Sequence, residues 1–138
     1  MNVKYLRTYV YVCPFCINPV EDCVCEKYPM KLVQIDRKIW PIIKILNEKW
    51  YLTQDCCEGH IDGNLRIHIS FVRRYHFDVP IPKGFSGGED FLYADITGKT
   101  PQAKQRKKCQ LLHALYEWAC ALENCRPEGG FVSLKDFC

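Results

Sequence analysis

Ten cysteines in 138 residues constrain this chain more than any other feature. They cluster as Cys13-Pro-Phe-Cys16, Cys23-Val-Cys25 and Cys56-Cys57, the last pair running into Glu58-Gly59-His60. Met1 to Tyr5 open no apolar stretch that ends in a small-residue cleavage site. No secretory signal is expected, and the thiols are expected to stay reduced in a cytoplasmic setting. Reduced cysteines at close spacing point to metal. A C-x2-C turn places two thiolates on one side of a tight loop, and a second close pair completes a tetrahedral, all-sulfur site. Cys13, Cys16, Cys23 and Cys25 are therefore expected to hold a structural zinc, against the alternative of four separately buried cysteines. Four sulfurs leave no open position for water, so this zinc would fasten a loop and hydrolyse nothing. A thioredoxin-like redox pair does not fit, because no helix-forming run follows Cys16.

An apolar content of 48% suffices for a packed core. No apolar run approaches the roughly 18 residues of a membrane span, so no membrane partner is expected. Residues 3–12 and 31–35 read as strands. Asp36 is a plausible N-cap for a helix whose apolar positions are Ile39, Ile42, Ile43 and Leu46, with Pro41 in its first turn. Trp50 to Gln54 and Leu65 to Val72 read as strands. In the second, Arg66, His68 and Ser70 alternate with Leu65, Ile67, Ile69 and Phe71, which implies one wet and one buried face. A Pro/Gly loop over 79–88, a strand over 91–96, a long helix from Pro101 to about Asn124 and a last strand near 131–134 complete the reading. Leu111, Leu112, Leu115, Trp118, Ala119 and Leu122 form one stripe on that helix. The expectation is an α+β fold, a mainly antiparallel sheet packed by two helices. The strand and zinc knuckle of 1–30 would form one compact unit with 31–138.

The net charge of +3 is mild, but its distribution is not. Lys99, Lys104, Arg106, Lys107 and Lys108 lie between Gly98 and Gln110 with no acid among them, while the rest of the chain carries more acid than base. Cations in a helix's first turns add to the positive end of its dipole and would receive a phosphate, a nucleotide or a nucleic-acid backbone. Arg73 and Arg74 would join this patch if the fold brings them near, with Tyr75, Tyr93 and Trp50 as stacking faces. The competing reading is a solvated helix end kept for solubility.

Gly84-Phe-Ser-Gly-Gly88 fits the pattern G-x-S-x-G but lacks the strand before and helix after that a nucleophile elbow needs, so it reads as a turn. Gly98-Lys-Thr100 looks like the end of a P-loop, yet Tyr93 stands where the first glycine is required. Cys57 and His60, three apart around Gly59, can converge across a turn, whereas Cys56 should face the core because neighbours on a strand point opposite ways. With Cys109 and His113, four apart on the long helix and with Cys120 further along the same side, Cys57 and His60 would form a second metal site. Alternatively Cys57 is a nucleophile, with His60 or Glu58 as acid or base.

The segment Gln34 to His60, QIDRKIWPIIKILNEKWYLTQDCCEGH, resembles small zinc-ribbon proteins of Firmicutes and their phages. Those carry a cysteine ribbon, a helix of the form I-x-P-I-I-x-x-L-N-x-K-G-Y, a strand and C-C-x-G-H. Ile39, Pro41, Ile42, Ile43, Leu46, Asn47, Lys49, Tyr51, Cys56, Cys57, Gly59 and His60 match, and Trp50 stands where the pattern has glycine. The resemblance covers about half the chain and implies fold and source rather than activity. The chain is more distantly similar to wybutosine-synthesising methyltransferases of the TYW-three type, which run acidic residue, helix, strand and Ser-Cys-Ser-Gly-Arg. Only Cys57 and Gly59 match that motif, so methyl transfer is not carried over. Three functions are thus expected in turn: a zinc-binding protein that grips nucleic acid or a nucleotide-like anion, an enzyme using the Cys57/His60 turn, or a phage-derived inhibitor of a host protein.

Overall fold

The computed structural model describes residues 9–13, 16–19, 22 and 33–125. Cys23, Cys25 and the expected strand near 131–134 lie outside these residues. The elements are β1 (Tyr9–Val12), β2 (Val33–Asp36), α1 (Trp40–Glu48), β3 (Thr53–Cys57), β4 (Arg66–Phe71), β5 (Ser86–Gly87), β6 (Phe91–Asp95) and α2 (Pro101–Ala121). The fold is α+β, with two antiparallel sheets where the sequence reading had one. β1 pairs with β2, and the second sheet runs in the order β3-β4-β6-β5. No helix of the described residues is long and apolar enough to cross a membrane.

The four-stranded sheet has the two-faced pattern its sequence implies. Ile67, Ile69 and Phe71 of β4 and Leu92 and Ala94 of β6 are buried. They share one core with Ile42, Ile43 and Leu46 of α1 and with Leu111, Leu115 and Trp118 of α2. The alternate residues Arg66, His68 and Ser70 are paired with Asp95, Tyr93 and Phe91 on the outer face. Gly84-Phe-Ser-Gly-Gly88 supplies the short edge strand β5, whose Ser86 pairs with Tyr93.

α1 differs from expectation at both ends. Its N-cap is Ile39, with no side-chain cap, and Pro41 lies in the first turn. Asp36 closes β2 instead, so its carboxylate is free for other work. At the far end, the Trp50 N–H bonds the Asn47 carbonyl and the Tyr51 N–H bonds the Leu46 carbonyl, at 3.0 and 2.9 Å. This is a Schellman closure, in which the first of the two donors takes a left-handed conformation. Trp50 takes that place at φ 72°, where glycine is the usual occupant. The expected strand at Trp50–Gln54 therefore begins later, at Thr53, and continues through Cys56 and Cys57. Asn47 sets its start, accepting the Thr53 N–H at 3.2 Å and donating to its hydroxyl at 2.9 Å.

Thr100 caps α2, its hydroxyl accepting the Ala103 N–H at 3.0 Å. The helix ends at Ala121, where Lys49 reaches across from α1. Its ammonium donates to the carbonyls of Ala119, Cys120 and Leu122 at 2.9, 2.8 and 2.6 Å. A cation at that position satisfies carbonyls left without helical partners and complements the negative end of the dipole.

Candidate metal centre

β3 delivers Cys56 and Cys57 to opposite faces. Cys56 pairs with Ile69 and packs against the core, while Cys57 pairs with His68 on the outer face. Burial pushes the Cys56 thiol up to about 12, helped by the charges of Asp36 and Asp55. The chain then turns sharply. Gly59 sits at φ +79°, and a Cβ there would lie 2.5 Å from the end of the Ile96 side chain, so any other residue would be strained. The His60 N–H bonds the Asn64 carbonyl at 2.6 Å and closes the turn before β4.

This turn folds against the end of β2. Asp36 Oδ2 accepts the Glu58 N–H at 3.1 Å and lies 3.2 Å from His60 Nε2. The ligand atoms of Asp36, Cys57 and His60 all lie within 4.8 Å of one another, and each residue is half-buried. Cys57 Sγ accepts the Gly59 N–H at 3.4 Å and an amide hydrogen of Asn64 at 3.8 Å. Burial first, and then the Asp36 charge, raise its pKa, while these N–H donors act in the other direction. A poised nucleophile has the opposite bias. One oxygen, one sulfur and one imidazole nitrogen suit a borderline cation such as zinc, whose charge would reverse that bias and favour the thiolate. The three residues form a candidate metal-binding group.

Glu58 is engaged inside the protein. It is 4% exposed, and so is Lys108, which donates to Glu58 Oε2 and to the Gly59 carbonyl at 2.6 Å each. The other carboxylate oxygen accepts the Lys38 N–H at 2.8 Å. Glu58 and Lys108 thus fasten the turn to α2 and to the β2–α1 junction. This corrects the place of Lys108 in the expected anion patch, because its ammonium is spent inside the protein. Its position is in phase with the Leu111, Leu112 and Leu115 stripe, and that phase is the signal that marks it as inward-facing.

The expected partners Cys109 and His113 do not join the centre. Cys109 is exposed, and His113 is exposed and paired with Glu117 at 3.0 Å. Asp36 takes the place they were expected to fill. Lys99, Lys104, Arg106 and Lys107 have no ion-pair partner among the described residues and remain near the start of α2. Arg73 and Arg74 are exposed but lie beyond Phe71, whereas α2 follows β6 at the opposite, Arg66 end of the sheet. Tyr75 is buried against Tyr51, Phe71 and Phe77, and Trp50 closes α1, so of the expected stacking faces only Tyr93 lies on the outer sheet face. Of the N-terminal cysteines, Cys13 is buried and Cys16 half-buried in a turn closed by the Ile17 N–H on the Cys13 carbonyl at 2.9 Å. Compared with protein-family models, curated proteins and solved structures, the chain matches none.

Proposed function

We propose that this is a zinc-binding protein whose working metal is held by Asp36, Cys57 and His60. The observation that supports this reading is the convergence of three different donor atoms from two separated segments within 4.8 Å. Three protein ligands leave a tetrahedral ion one position for a further ligand. The expected Cys13, Cys16, Cys23 and Cys25 zinc stands as a separate, structural proposal.

Metal content of the purified protein and of two variants tests the assignment. Cys57→Ser and His60→Ala should each lose one equivalent of zinc relative to the parent chain. On cobalt substitution, Cys57→Ser should also lose one share of the thiolate-to-metal absorption. Unchanged zinc content in both variants would refute the reading.

A further inference from the structure

The backbone of Glu58 and Gly59 takes part in the candidate centre without supplying a ligand. The Glu58 N–H donates to Asp36 Oδ2 at 3.1 Å, and the Gly59 N–H donates to Cys57 Sγ at 3.4 Å. Two of the three candidate ligands thus accept hydrogen bonds from successive peptide groups of one turn. Donors of this kind fix a ligand's orientation and set how strongly it gives electrons to a metal.

Lys108 grips both of these residues from α2. Its ammonium donates to Glu58 Oε2 and to the Gly59 carbonyl at 2.6 Å each, with both side chains buried. The second Glu58 oxygen accepts the Lys38 N–H at 2.8 Å, two residues beyond Asp36. One carboxylate therefore joins α2, the turn and the segment that leaves Asp36. Stability alone does not account for this arrangement. Desolvating two charges consumes most of what their attraction returns, and a well-packed apolar pair would hold α2 to the turn about as firmly. It would not orient the turn, because it offers no donor to the Gly59 carbonyl and no acceptor to the Lys38 N–H. Glycine has wide backbone freedom, so an N–H aimed from Gly59 at a sulfur needs fixing from outside.

We propose that Lys108 is a positioning residue of the metal centre: acting through Glu58 and Gly59, it holds the two N–H donors on Asp36 and Cys57 and so sets the affinity for zinc. The proposal rests on the zinc reading of Asp36, Cys57 and His60. The coupling is reciprocal, so zinc in the centre tightens the hold on α2 at Lys108 by the same factor.

Competition with a chromophoric chelator measures the zinc affinity, counting only the zinc that Cys57→Ser does not hold. Lys108→Met should bind about 10–100-fold more weakly than the parent chain. The double variant Glu58→Gln with Lys108→Met separates positioning from folding. It leaves no unpaired buried charge and should regain part of the lost stability. Its zinc affinity should nevertheless stay low, because the Gly59 carbonyl still lacks its donor. With cobalt in place of zinc, both variants should move the thiolate-to-metal absorption to lower energy, since a sulfur that loses an N–H donor gives up electrons more readily. Parental affinity in the double variant, or an unmoved cobalt band, would overturn the proposal and leave the zinc reading standing. A parent chain that holds no Cys57-dependent zinc would overturn both. Hydrogen exchange on the parent chain needs no variant: zinc should slow the amides around Lys108 more than those of β6. Slowing confined to residues 57–64 would again overturn the role of Lys108 alone.

Discussion

Lys108 and Glu58, fifty residues apart in sequence, meet at 2.6 Å with both side chains buried. A buried pair of this kind adds little net stability over an apolar pair, but removing one partner strands the other charge. Lys108→Met should therefore cost about 3–5 kcal/mol, read from the urea midpoint. Adding Glu58→Gln to that variant should recover part of the loss, because no unpaired charge then remains. If Lys108→Met unfolds at the parental midpoint, the clamp has no energetic role.

Metal should raise stability through the native state alone. With free zinc at a hundredfold excess over Kd, the gain is about 2.7 kcal/mol and appears as a higher melting temperature. Asp36→Asn keeps the acceptor for the Glu58 N–H but loses the charge. It should weaken zinc binding about tenfold or more and shift the thermal response to higher zinc. An unaltered response would remove Asp36 from the ligand set.

Lys49 satisfies three carbonyls at the end of α2. Lys49→Met keeps the aliphatic stem and deletes the ammonium, and should cost about 2 kcal/mol. Hydrogen exchange should quicken at amides in the last turn of α2 more than at those of β4. A uniform change across both would argue against a local cap.

Trp50 pays a conformational cost at φ 72°. Trp50→Gly should stabilise the protein by about 1 kcal/mol, because glycine enters the left-handed region without strain. Chemical denaturation of the two forms side by side decides the sign, and a lower midpoint for the glycine form would show that the indole's packing outweighs the backbone term.

Burial pushes the Tyr51 hydroxyl up to about 12, and it donates to the Glu123 carbonyl at 2.7 Å. Its folded pKa lies above its ordinary value of 10.0, so the folded state keeps a proton that the unfolded chain gives up. The associated stability is present below pH 10 and drains away as pH rises towards 12. Tyr51→Phe should cost about 1 kcal/mol at neutral pH and flatten the alkaline limb of the stability curve. An identical alkaline limb in both proteins would contradict the assignment.

Periodicity made much of this fold legible. The alternation in β4, the leucine stripe of α2 and the turn that brings Cys57 towards His60 all follow from the spacing of apolar residues and glycine. The misreadings have particular causes. Asp36 has the look of a helix N-cap, since a short acidic residue between a strand and a periodic apolar run is the same signal whether it caps or ligates. Composition groups Lys108 with its cationic neighbours, whereas helical phase places it with the leucines. Cys109 and His113 share one side of a helix, but that side faces water. Long-range convergence, Asp36 on the turn and Lys49 on the end of α2, depends on tertiary packing that no local window contains.

The order of the chain adds a temporal consequence. Asp36, Cys57 and His60 all precede α2, whereas the lysine that clamps their turn lies within it. During synthesis at roughly 5–20 residues per second, the fifty residues from Glu58 to Lys108 take about 3–10 s to appear. For nearly all of that interval the nascent chain holds Asp36, Cys57 and His60 and lacks the clamp. A metal bound as proposed would meet a loose set of donors first and be locked only when the helix arrives.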